Sequence, residues 1–224
     1  MFYITGDTHG DLNRLAYPFV PRDTLTREDW LIVAGDFGYI WGDRLDASRL
    51  EQIAALPYNI AFLDGNHECF PQIFQYPEET LWGGRVHRIL PNLVHLMRGQ
   101  VFSTPTVCFF TMGGGYSLDK AMRREGLSWW KEELPTEEEY ETGLRNLQAH
   151  GNRVDVLLSH AAPADTMYML QQIGRIGKLC YEECRLNEYL QLVEDTVEYK
   201  RHYFGHLHLD EQLWRDQVAL LFHV

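Results

Sequence analysis

The sequence predicts an α/β fold: two face-packed sheets with helices outside, in a single domain spanning residues 1–224. Three observations predict it. Residues 30–34, 59–63 and 154–158 are nearly continuous apolar runs of strand length, the pattern of strands buried on both faces. Segments of helical period separate the early runs. A chain of 224 residues with 45% hydrophobic side chains can also bury a sizeable core.

In order, residues 2–4 form a short apolar strand ending at Gly6. Leu12, Leu15, Ala16 and Phe19 follow at helical spacing until Pro21 stops the pattern. Residues 30–34 are the second strand. Residues 46–56 read as a helix with Leu50, Ile53 and Ala54 on one side, and residues 59–63 are the third strand. This β-α-β-α-β order predicts parallel pairing with right-handed crossovers. Residues 86–89, 93–97, 100–103 and 106–112 are short strands with tight connections, which predicts an antiparallel second sheet. The triple glycine at 113–115 breaks this pattern. Thr136 before Glu137, Glu138 and Glu139 starts a helix that runs to about His150, because acids favour the first turn. Residues 154–158 are a buried strand. Residues 161–178 read as a loop with a short helix, and 181–194 as an amphipathic helix. Residues 202–204 are a last strand into Gly205, before a hairpin of 212–214 and 218–222.

Composition excludes some function classes. A formal charge of -12 opposes tight binding to duplex DNA, which needs a basic surface. The four cysteines form no CxxC pair, so they read as free thiols. No segment reaches the roughly 18 apolar residues of a membrane span. Asp7 already belongs to the candidate site below, and a leader cleaved near residue 20 would remove it. The expected location is the cytoplasm, with no membrane partner.

Five segments place metal-binding side chains where strands stop. They are Gly6-Asp7-Thr8-His9-Gly10, Gly35-Asp36, Gly65-Asn66-His67-Glu68, Ser159-His160 and Gly205-His206-Leu207-His208. Ligands of α/β sheets bind beyond the carboxyl ends of strands, and glycine lets the chain turn sharply there. Alone, Asp7 with His9 is an ordinary polar turn and His160 an ordinary buried histidine. Together the set holds two divalent ions. One takes Asp7, His9, Asp36 and His208. The other takes Asp36, Asn66, His160 and His206, so that Asp36 bridges. Mixed nitrogen and oxygen donors suit Mn, Fe, Zn, Ni or Co. Two such ions roughly 3.5–4 Å apart lower the pKa of a water and clamp phosphoryl oxygens. His67 follows a ligand and is free to act as general acid, with Glu68 its nearest candidate orienter. Asp64, before Gly65, is a candidate supporting partner or a turn cap.

These motifs, D-x-H, G-D, G-N-H-E, a strand-end His and G-H-x-H, resemble in order those of the calcineurin-like metallophosphoesterase superfamily. The resemblance covers residues 4 to 208. It implies an αββα sandwich of mixed sheets and a two-metal phosphoesterase, with Mn the first expectation. The protein-phosphatase branch of that superfamily reads G-D-x-x-D-R-G. Here Tyr39 replaces the second Asp and Ile40 the phosphate-clamping Arg, which opposes Ser/Thr protein phosphatase activity. The chain looks closer to bacterial and phage phosphoesterases with G-D-F-G and a G-G-x-x-S-x-D-K segment, matched by residues 113–120.

With that clamp absent, the insertion at about 113–135 is expected to lie over the site. Arg123 is the first candidate for a phosphate contact, with Arg124 and Lys120 next. Trp129 and Trp130 either stack on a base or sugar, or belong to a salt-bridged surface loop with Trp130 in the core. The expected substrate is a phosphorylated small molecule, a nucleotide or a nucleic-acid end, with a diester favoured slightly over a monoester. A non-catalytic scaffold for protein binding ranks below both, because no ligand of the set is missing.

Overall fold

Side-chain alternation along each strand decides how the layers stack. In the computed structural model, which describes residues 1–16, 20 and 24–222, Leu31 and Val33 of one strand face outward and Ile32 faces inward. The outward pair joins Ile53, Ile60 and Phe62 under a helix. Ile32 joins Ala61, Val94, Phe109 and Leu158 between two sheets. This gives the expected αββα sandwich.

The first sheet has the order β1-β2-β3-β6-β5-β4. Its strands are β1 (Phe2–Thr5), β2 (Trp30–Val33), β3 (Asn59–Phe62), β4 (Glu78–Leu81), β5 (Gly84–Leu90) and β6 (Leu93–Leu96). The second has the order β11-β12-β10-β9-β8-β7. It contains β7 (Gln100–Ser103), β8 (Cys108–Met112), β9 (Val156–Ser159), β10 (Arg201–Phe204), β11 (Glu211–Gln212) and β12 (Gln217–Ala219). The helices α1 (Asp46–Ala54) and α2 (Phe70–Ile73) belong to the first half of the chain. The later helices are α3 (Glu137–Ala149), α4 (Ala164–Gln172) and α5 (Cys184–Thr196). Thr136 caps α3 in a reciprocal box with Glu139, as its sequence predicts.

One expectation changes. The four middle strands do not form a separate antiparallel sheet. β6 pairs in parallel with β3, and β5 pairs antiparallel to β6, so both extend the first sheet. β7 and β8 begin the second sheet, and β8 then runs parallel to β9. Local sequence signals a strand but not its partner, and here the partners are distant. The helical spacing after Leu12 gives only a 3-10 turn at Leu12–Leu15, and Phe19 and Pro21 lie outside the described residues.

Register brings the functional loops together. Thr5 pairs with Val33, and Val33 with Phe62, so three parallel strands end side by side. In the second sheet Met112 and Phe204 both pair with Ser159. The loops starting at Gly6, Ala34, Leu63, Gly113, His160 and Gly205 therefore leave one edge of the sandwich. Among the described residues, no helix is long and apolar enough to cross a membrane.

Candidate metal centre

The strand ends are held in conformations that ordinary residues avoid. His9, Asp36, His206 and His208 all have positive φ, between 47° and 64°. Such backbone costs about 1–3 kcal/mol per residue and clusters at functional sites. Gly35 also has positive φ, and a Cβ there would run into the His160 ring. At Gly65 a Cβ would meet the Asp36 carboxylate. Both glycines are needed because two loops from one sheet crowd a histidine from the other.

Asp7 and Asp36 are buried side by side. The His208 Nε2 lies 3.1 Å from Asp7 Oδ2, and His9 Nε2 lies 4.0 Å from the same oxygen. Asp36 divides its two oxygens. Oδ2 is 3.7 Å from His9 Nε2, whereas Oδ1 is 3.4 Å from His160 Nε2 and accepts the His67 backbone N–H at 2.8 Å. Asn66 Oδ1 sits 3.1 Å from His160 Nε2. His160 Nδ1 donates to Ala34 O at 2.8 Å, leaving Nε2 as the lone-pair nitrogen aimed at the carboxylates.

The titration of these groups follows from their contacts. Burial pushes the Asp7 carboxyl up, but the His208 hydrogen bond and the nearby His160 outweigh it and hold it below its ordinary value. Burial pushes the His206 imidazolium down, yet Glu183, with Asp36 and Asp7, raises its pKa to about 9.

The donor set fits divalent ions. The ligand atoms of Asp7, His9 and His208 lie within 4.8 Å of one another, as do those of Asp7, Asp36 and His160. Two buried carboxylates facing imidazole nitrogens form a cation-binding arrangement, because a buried charge needs a partner. His206 is beside this set, its ring 4.9 Å from that of His160, with Nε2 turned 3.0 Å from Glu183 Oε1.

A cleft of about 170 Å³ opens over these residues. Asp36, Asn66, His67, Tyr116, Leu118, Asp119, His206 and His208 line it. Tyr116, Leu118 and Asp119 thus stand at its wall. Arg123 lies against the His67 ring, closest to Nδ1, and its Nε is 2.8 Å from Asp119. The other two candidate cations are elsewhere. Lys120 pairs with buried Glu133 and sits over the rings of Tyr116 and Trp129. Arg124 is exposed, and its backbone bonds Ser128. Trp130 is buried with Cys69, Phe70 and Trp41.

One supporting residue, Glu68, behaves differently from a reading by sequence neighbourhood. Glu68 does not reach His67. It turns away and accepts the N–H groups of Phe37 at 2.6 Å and Gly38 at 3.3 Å, so it braces the loop after Asp36. Burial, and then the Asp36 charge, push its carboxyl well up. Asp64 is buried between Arg98, at 2.7 Å, and His95, at 3.0 Å, and its backbone carbonyl accepts from Gly114. Two further residues at the site, Ser117 and Glu183, were not singled out for any role. Ser117 lay inside the G-G-x-x-S-x-D-K match, while Glu183 carried no signal in sequence.

The calcineurin-like phosphoesterase family model matches residues 1–210. The chain belongs to that family. No curated protein matches it. The family usually holds a dinuclear metal centre, and the carboxylate and imidazole groups above are candidate ligands for it. Family membership supports a metal-dependent hydrolase of phosphate esters.

Proposed function

We propose that the protein hydrolyses phosphodiesters of the nucleotide or nucleic-acid-end type, using two divalent ions. Asp7, His9, Asp36 and His208 hold one ion, and Asp36, Asn66, His160 and His206 hold the other. Mn comes first on family expectation, with Fe, Zn, Ni and Co accepted by the same donors. When bound, the ions polarise the ester and activate water.

The observation that carries the diester is the cleft lining. Two carboxylates, Asp36 and Asp119, line it, and no Lys or Arg does so among the described residues. A monoester reaches neutral pH with a charge of about −1.5 to −2, and such a group favours a cationic side chain in addition to the two ions. A diester carries a single negative charge and a second alcohol group. Tyr116 and Leu118 offer that group an apolar wall.

His67 supplies the proton to the leaving oxygen. A guanidinium only donates, so in the neutral ring the His67 nitrogen nearest Arg123, Nδ1, accepts and Nε2 carries the proton; the acid is the imidazolium formed when Nδ1 is protonated as well. Burial, with the Arg123 charge, lowers the His67 pKa against the pull of Asp36, which makes that imidazolium a stronger acid and a smaller share of the resting protein. Arg123, paired with Asp119, stands behind the acid and orients its ring without lining the cleft.

The test is a pair of nitrophenyl substrates, the monoester and its bis-ester, assayed with Mn-reconstituted protein. The expected result is a higher kcat/KM for the bis-ester. A monoester preference above tenfold overturns this reading.

A further inference from the structure

The two ion positions differ in what stands behind their ligands. His9 and His208 have side chains 37% and 56% exposed. Their Nε2 atoms face Asp7 and each other, and neither Nδ1 has a partner among the described residues. The ligands on the other side are backed by buried groups. Asn66 donates its Nδ2 to Ser117 Oγ at 3.1 Å, and that hydroxyl returns a bond to Asn66 O at 3.4 Å. This pair of bonds fixes which way the amide faces: nitrogen toward Ser117, Oδ1 toward His160. His206 points Nε2 at Glu183 Oε1, which leaves Nδ1 as the nitrogen that offers a lone pair once the ring is neutral. Glu183 is held by the Tyr116 N–H at 2.8 Å, and Ser117 by its own N–H to Glu133 Oε1 at 3.2 Å. Ser117, Glu133 and Glu183 are all buried.

We propose that Ser117 and Glu183 are positioning residues for the second ion: Ser117 turns the Asn66 oxygen, and Glu183 the His206 Nδ1, toward it. The adjacent residues Tyr116 and Ser117 tie both supports to one strip of the insertion. A carboxylate behind a ligating imidazole sets its tautomer and raises its basicity, and loss of such a partner typically costs about 10–100-fold in metal affinity. The two histidines of the first ion have no equivalent backing, although Asp7 accepts the His206 N–H, so that ion is the more labile of the two. This rests on the two-ion reading above.

The test is a calorimetric titration of metal-stripped protein with Mn²⁺, run on wild type, Glu183→Ala, Glu183→Gln and Ser117→Ala. Wild type binds two ions with separable affinities. Glu183→Ala weakens the tighter event about 10–100-fold and leaves the weaker one unchanged. Glu183→Gln, which retains an acceptor for His206 and Tyr116, recovers part of the loss. Ser117→Ala, the milder variant, shows a smaller loss in the same event and covers the case where Glu183→Ala fails to fold. The Mn²⁺ concentration for half-maximal activity rises in step, while the rate at saturating Mn²⁺ changes little. Two events within twofold of wild type in both alanine variants overturn the proposal. Wild-type protein that takes up no Mn²⁺ overturns the two-ion reading instead.

Discussion

The strand-end loops and the segment between residues 116 and 133 treat charge in opposite ways. At the strand ends, Asp7 and Asp36 face imidazoles, groups that also bind cations. In the segment, three of its four cations meet an acid of the same segment: Lys120 with Glu133, Arg123 with Asp119, and Lys131 with Glu125. The first region keeps its charge for a ligand. The second neutralises itself and presents Tyr116 and Leu118 to the cleft. On the function proposed above, the chemistry comes from the strand ends of the two sheets and the choice of ester from this segment.

Substitutions sharpen that division. His67→Ala removes a proton donor from a strand-end loop and should lower kcat by about 10²–10⁴-fold with metal content unchanged. The loss should shrink with nitrophenolate as leaving group, because it departs without a proton. Equal losses for good and poor leaving groups would remove His67 from the acid role.

Behind the same loop, Arg98→Met should cost about 3–5 kcal/mol in urea unfolding, by leaving the buried Asp64 with a lost partner. The pH dependence has a definite sign. Burial raises the Asp64 carboxyl, but Arg98 and His95 outweigh it and hold it far below its ordinary 3.8. A depressed carboxylate contributes stability above its unfolded pKa and loses it as pH falls toward the folded one. The wild-type advantage over Arg98→Met should therefore be full at neutral pH and narrow below about pH 4. A gap that widens in acid would contradict the pairing.

The smallest effect belongs to the segment. Arg123→Ala should lower kcat/KM by about tenfold, the size of one charge-assisted hydrogen bond, with both ions retained. Loss of metal in this variant would erase the division between the two regions.

How much of this was legible follows the same line. The Gly-Asp and Gly-His strand endings were visible because apolar runs announce buried strands and because glycine marks the sharp turn. All seven candidate ligands emerge at one edge of the sandwich for that reason. β4 was not legible: Glu78, Glu79 and Thr80 are exposed on an edge strand, where no core imposes an apolar pattern. Glu68 misled because neighbours in sequence diverge in a tight loop, and its side chain turns to Phe37 while His67 faces Arg123. Glu183 was invisible because its link to His206 depends on where α5 begins relative to β10, a tertiary fact. In sequence Arg123 ranks first, with Arg124 and Lys120 close behind. Only the fold shows that one of the three lies against His67.

The central claim is that the Asp36 carboxylate serves two ions at once, one through each side of the cluster. Counting Mn per chain by elemental analysis after dialysis, in wild type and Asp36→Asn, tests it most directly. The account predicts two ions in wild type and at most one in Asp36→Asn, with kcat/KM down on the order of 10³-fold or more, the rate equivalent of several kcal/mol. Two ions retained by Asp36→Asn at near wild-type activity would contradict it.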